Sequence, residues 1–97
     1  MSDNGQGLMR PTYAVHFDSR AWDEVMALSE KTQRRIFAAT DALELDPRPS
    51  GVVKMQGEDN TYRVRVGDYR IIYEVHDAVL IVIVIKIGDR KDVYKKK

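Results

Sequence analysis

Apolar and polar positions change rhythm halfway along the chain, and the change separates helices from strands. Tyr13 to Phe17 alternates, with Val15 between them, and predicts a short strand entered from Pro11. Asp18 or Ser19 can cap a helix after it, in which Trp22, Val25, Met26 and Ser29 share one face. A second helix is predicted to start near Lys31. Ile36, Phe37, Thr40 and Leu43 recur at steps of three and four until Asp46-Pro47 stops it, because proline lacks the amide hydrogen and clashes with the preceding turn. The short spacing predicts an antiparallel helical hairpin. Pro47 to Gly51 reads as a loop, and Val52 to Met55 as a short extended segment.

From Thr61 the period becomes two. The runs TYRVRV and YRIIYEV alternate and are separated by Gly67-Asp68; VLIVIVIKI follows a turn near Asp77. Two turn residues beginning with glycine between alternating runs predict a tight hairpin. The last run is apolar in both phases, which predicts a central strand covered on both faces. The class is α+β: an N-terminal strand, then an antiparallel helical hairpin packed on a small, mostly antiparallel sheet. Residues 1–11 are expected to be a disordered leader and 12–97 a single domain.

The hairpin fixes a register. Val66 and Tyr69 become partners across the turn, so Arg65 lies opposite Arg70, on the same side as Arg63. The other face, from Tyr62 through Ile71 to Val75, is apolar and fit to meet the helices. A slip of one residue would drive the arginines into the core. Like charges directly opposite on a sheet destabilise it by a few tenths to about 1 kcal/mol. A bound anion would relieve that repulsion, since guanidinium forks match phosphate two bonds at a time. The alternative is a solvated face on which each arginine finds a carboxylate, such as Glu74 or Asp68.

Composition narrows the classes. Ninety-seven residues, 43% hydrophobic and 32% charged, describe one ordinary soluble domain. There is no cysteine, so disulfides and thiolate metal sites are excluded. The longest apolar run, Val79 to Ile85, is far short of the roughly 20 residues of a membrane span. The N-terminus has no basic start followed by an apolar stretch, so a cytoplasmic location is expected. Net charge is +1, but the first 50 residues carry six Lys and Arg against eight Asp and Glu, and the remainder ten against seven. The basic half is the half with the ordered arginines.

Other chemistry is sparse. His16 and His76 are isolated, and no metal-ligand spacing, phosphate loop or nucleophile triad is present. Gly88 is expected to end the last strand and permit a sharp exit that projects Arg90 and Tyr94. Tyr94 could stack on a base or close the core. The final three lysines read as a solvated tail or as added affinity for RNA.

The segment Lys54-Met55-Gln56-Gly57, the run YRVRVGDYRIIYEV and the ending IGDRKDVY together resemble the RelE/ParE superfamily of toxin–antitoxin toxins, over roughly residues 12 to 95. The resemblance implies a cytoplasmic prokaryotic toxin that enters the ribosomal A site and cuts mRNA without metal or other cofactor. The RNA 2′-hydroxyl would attack the adjacent phosphate and the 5′-oxygen would leave. It also implies a cognate RelB-like antitoxin. By position, Arg63 and Arg65 match two basic sites before the glycine turn, Arg70 the phosphate-binding arginine, Arg90 the arginine after the strand, and Tyr94 the tyrosine that orients the nucleotide. Lys54, Asp89 and Lys91 are the further substrate-binding candidates, and Asp89 stands where many relatives have histidine.

Two departures carry a chemical consequence. Some relatives have lysine where Arg63 and Arg65 stand, and lysine can act as a general base. Arginine stays protonated, so catalysis here is expected to rest on charge stabilisation and positioning. Two alternatives remain open on the same scaffold: a ParE-like inhibitor of DNA gyrase, and an inactive relative that only binds an antitoxin.

Overall fold

A computed structural model describes residues 12–89. The expected leader over 1–11, and Arg90, Lys91 and Tyr94, lie outside the described residues. The elements are β1 (Ala14–Phe17), α1 (Ser19–Met26), α2 (Glu30–Ala42), β2 (Val53–Lys54), β3 (Thr61–Val66), β4 (Tyr69–His76) and β5 (Ile81–Asp89). They form a five-stranded sheet in the order β1-β5-β4-β3-β2. β1 runs parallel to β5 and the other neighbours are antiparallel. Both helices pack on one face, so the expected α+β architecture is the observed one.

Each helix starts where a side chain satisfies its orphan amides. Asp18 accepts from the Ala21 amide at 2.9 Å, and Ser29 from the Thr32 amide at 3.2 Å. Ser29 therefore caps α2 and does not extend the face of α1. That face is also rotated from the expected one. Ala21 and Val25 are fully buried, while Trp22 and Met26 are 46% and 41% exposed. The small Ala21 lets α1 lie close on β5, and the Trp22 ring sits at the rim, 5.7 Å from Phe17 and 5.8 Å from Phe37. α2 ends at Ala42, before Asp46-Pro47. The amides of Leu43, Glu44 and Leu45 bond three residues back to Thr40, Asp41 and Ala42, the tightened geometry of a closing helix.

β5 is central, as its composition predicts, but it is covered on one face only. Val82, Val84 and Ile87 are 0%, 0% and 4% exposed against the helices, whereas Ile81 and Ile83 lie half-buried on the helix-free face. Further along, the phase itself changes. Ile72 pairs with Lys86 and Tyr73 with Val84, so Ile85 is an extra residue, a β-bulge. The bulge re-phases the strand, and Val84 and Ile87, three residues apart, both face the core. Beyond Phe17 no strand among the described residues borders this edge of β5. Glu24 of α1 substitutes: its Oε1 accepts from the Ile87 amide at 2.8 Å and its Oε2 lies 3.3 Å from Lys86 Nζ. Gly88 does not end the strand; it pairs with Arg70, and β5 continues to Asp89.

The end of the sheet away from the β3–β4 turn is tied by polar contacts. Asp77 accepts from Arg48 Nη2 at 2.7 Å and from the Tyr13 hydroxyl at 2.6 Å. Arg48 Nε donates to the Tyr62 hydroxyl at 3.0 Å, and its guanidinium carbon lies 5.2 Å over that ring. Tyr73, fully buried, donates its hydroxyl to the Pro47 carbonyl at 2.7 Å. Hydrogen bonds from Arg48 and then Tyr13 hold the Asp77 carboxyl down to about 2. Burial raises the Tyr73 hydroxyl well above its usual range.

Candidate functional site

The β3–β4 hairpin has the register that its turn predicts. Val66 pairs with Tyr69, Arg65 with Arg70 and Arg63 with Ile72. Gly67 has φ +60, which places the left-handed residue first in the two-residue turn, as a type II′ turn requires. Paired residues point to the same side of a sheet, so Arg63, Arg65 and Arg70 share the face that the helices leave open. Together with Gly51 and Val53 they line a shallow cavity of about 170 Å³. Val53 reaches it because β2 pairs Val53 with Arg63.

Within the site the three arginines are held differently. Arg70 is 8% exposed, and its Nη1 lies 3.4 Å from the Tyr69 carbonyl. Arg65 is exposed and uses its Nε–H on the Gly67 carbonyl at 3.2 Å, which leaves the other donors of its fork for a ligand. Arg63 and Arg70 both have further interaction partners. Of the two carboxylates that could have balanced the cluster, Glu74 is engaged by His76 Nε2 at 2.9 Å. Asp68 lines a different cavity, on the far side of the turn.

Register separates the other candidates from this face. Lys54 pairs with Tyr62, a core residue, so Lys54 lies on the helix side of the edge strand. Asp89 pairs with Tyr69, another residue of the core side. Gly51 and Val53 are the lining residues that sequence reasoning missed. No signal fixed the register of β2, because six residues separate it from β3 where two separate β3 from β4.

This geometry can hold an oxyanion. Among the described residues no acidic side chain lines the cavity, and several guanidinium groups converge where a phosphate with developing charge could lie. The described lining residues also include no side chain able to accept a proton. Glu74 shares the face but stands four residues along β4 from Arg70, on the order of 13 Å away. Among the described residues no cluster of three or more His, Cys, Asp or Glu side chains could hold a metal ion, and no helix is long and apolar enough to cross a membrane.

Known proteins share both this sequence and this fold. The family model for the ParE toxin of type II toxin–antitoxin systems (parDE) matches residues 15–94. The RelE1 protein of Methanocaldococcus jannaschii is 27% identical over 86 residues, spanning 86% of this chain and 96% of the relative. The archaeal RelE–RelB complex from Pyrococcus horikoshii contains a chain that superposes with a TM-score of 0.74 at 31% identity, covering 81% of this chain and 96% of that one. The isolated RelE toxin of E. coli gives a TM-score of 0.71 at 26% identity, over 79% and 83% of the two chains. With the family model matched over most of its length, the chain belongs to the RelE/ParE superfamily of type II toxin–antitoxin toxins.

Proposed function

We propose that this protein is an endoribonuclease that cleaves mRNA in the ribosomal A site, in the cytoplasm of a prokaryote. The observation that carries the reading is the convergence of Arg63, Arg65 and Arg70 on one cavity, with no acidic residue among its described lining residues. Opposed guanidinium groups are costly unless an anion joins them. RNA supplies that anion as a phosphodiester and also supplies the nucleophile. The 2′-hydroxyl attacks the adjacent phosphorus, the P–O5′ bond breaks, and a 2′,3′-cyclic phosphate and a 5′-hydroxyl result. Arg63, Arg65 and Arg70 neutralise charge that builds on the non-bridging oxygens. With no proton acceptor among the described lining residues, the proton of the 2′-hydroxyl passes to water or to a ribosomal RNA group, and the departing 5′-oxygen takes up a proton from the same source. This route needs no metal. Arg90 and Tyr94 are proposed to complete the site from the C-terminal side.

A RelB-like antitoxin is the proposed regulatory partner, supported by relatives of the same fold solved as RelE–RelB complexes. The test of function is incubation with programmed ribosomes and mapping of transcript ends. Codon-phased cuts that disappear with Arg70→Ala are expected; absence of cuts, or cuts that survive the substitution, would sink the reading. The matched family model carries the name of ParE, and this favours DNA gyrase inhibition as the second reading. A supercoiling assay in which the protein arrests gyrase, with mRNA left intact, would select it.

A further inference from the structure

We propose that Arg35 of α2 is a second phosphate-binding residue, taking the RNA strand past the β3–β4 turn after the arginine cavity has gripped it; the proposal rests on the RNA-cleaving reading above. The observation behind it is how two arginines from different elements converge on Gly67. On one side, Arg65 Nε donates to the Gly67 carbonyl at 3.2 Å. On the other, a Cβ added to Gly67 would lie 3.2 Å from Arg35 Nη2 and 3.5 Å from its Cζ and Nη1. The Arg35 guanidinium therefore lies flat along backbone that a side chain would otherwise cover. Gly67 serves the turn by its φ of +60 and serves Arg35 by leaving room.

Arg35 is exposed, and among the described residues it has neither a hydrogen bond nor an ion pair. Its neighbour Arg34 is bridged by Glu30 at 3.4 Å. With Thr32, Val66, Asp68 and Tyr69, Arg35 lines a cavity of about 110 Å³. The Thr32 hydroxyl accepts from Ser29 Oγ at 3.0 Å, so its own proton is available to a ligand in that cavity. Asp68 is the opposing charge in this lining, and it makes no ion pair with Arg35. One small anion cannot occupy both cavities, since the turn stands between them. A nucleic-acid strand, with a phosphate at every residue, can place one in each.

Salt dependence of binding tests the assignment. The probe is a single-stranded RNA oligonucleotide with 2′-O-methyl groups, which binds without being cut, titrated by fluorescence anisotropy over a range of KCl. Each phosphate contact on a single strand contributes about 0.7 to the slope of log K against log salt. Arg35→Ala is expected to lower that slope by about 0.7, Arg35→Lys to restore most of it, and Asp68→Asn to tighten binding. A dinucleotide carrying one phosphate is expected to bind Arg35→Ala and the parent protein equally. If Arg65→Ala lowers the slope and Arg35→Ala leaves it unchanged, the second contact is wrong while the RNA reading stands. If neither changes it, the RNA reading itself fails.

Discussion

The two ends of the sheet use arginine in opposite ways. At one end Arg48 is matched: Asp77 takes two of its donors, Tyr62 takes a third, and the Tyr62 ring lies beneath the cation. At the other end the hairpin sets Arg65 against Arg70, with Arg63 beside them, and no carboxylate of the described residues lines the cavity between them. The first arrangement closes the fold, joining the start of β1, the loop after α2 and the turn before β5. The second gathers positive charge around an open cavity, where the remaining donors of Arg65 are turned to a ligand. Arginine closes the fold at the first end and lines a cavity at the second.

The largest effect that would sharpen the contrast is on activity. Arg70→Ala is expected to reduce ribosome-dependent cleavage by roughly 10²-fold or more, the typical loss for one transition-state donor, with Tm preserved; rates from a single-turnover assay check it. Next comes stability at the matched end. Tyr73→Phe leaves the Pro47 carbonyl buried without its donor, and urea denaturation is expected to record a loss of about 1–3 kcal/mol.

Smaller effects of opposite sign should separate the ends. Arg48→Ala is expected to destabilise by about 1 kcal/mol, since its partners are partly exposed. Arg65→Thr is expected to stabilise by a few tenths to about 1 kcal/mol, by removing a like-charge pair. Equal signs in calorimetry would break the comparison. Last is a pH effect. The Asp77 carboxyl is lowered from 3.8 to about 2, so its contribution is fully present above pH 3.8 and is lost as pH falls through about 2. Tm of the parent protein should therefore drop over that window more than Tm of Asp77→Asn.

What was legible in the sequence follows the range of the interaction. The arginine face could be read because a two-residue turn fixes every pair in the hairpin, and a slip would have buried charge. The matched end could not be read: Arg48 and Asp77 are 29 residues apart, and Tyr13 and Asp77 are 64. β5 was recognised as central, yet its two apolar phases suggested cover on both faces. Ile81 and Ile83 are half-buried on the helix-free face, and the bulge at Ile85, which alternation alone does not reveal, returns Ile87 to the core phase. Spacing groups Trp22 with Val25 and Met26 on one face of α1; a helix of eight residues has too few turns for spacing to fix its buried face. Lys54 is a candidate through the resemblance alone, and its pairing with Tyr62 puts it across the sheet from the arginines.

The parallel pairing of β1 with β5 also sets an order of assembly. The arginine hairpin joins neighbours in the chain, and closing such short loops is fast. β1 must wait, since Ala14 pairs with Ile81, 67 residues further along the chain, a contact of high order that slows folding. On a translating ribosome the first strand has no place to dock until the last one emerges. The arginine hairpin can thus form locally and early, while the scaffold that holds it rigid closes at the end of synthesis.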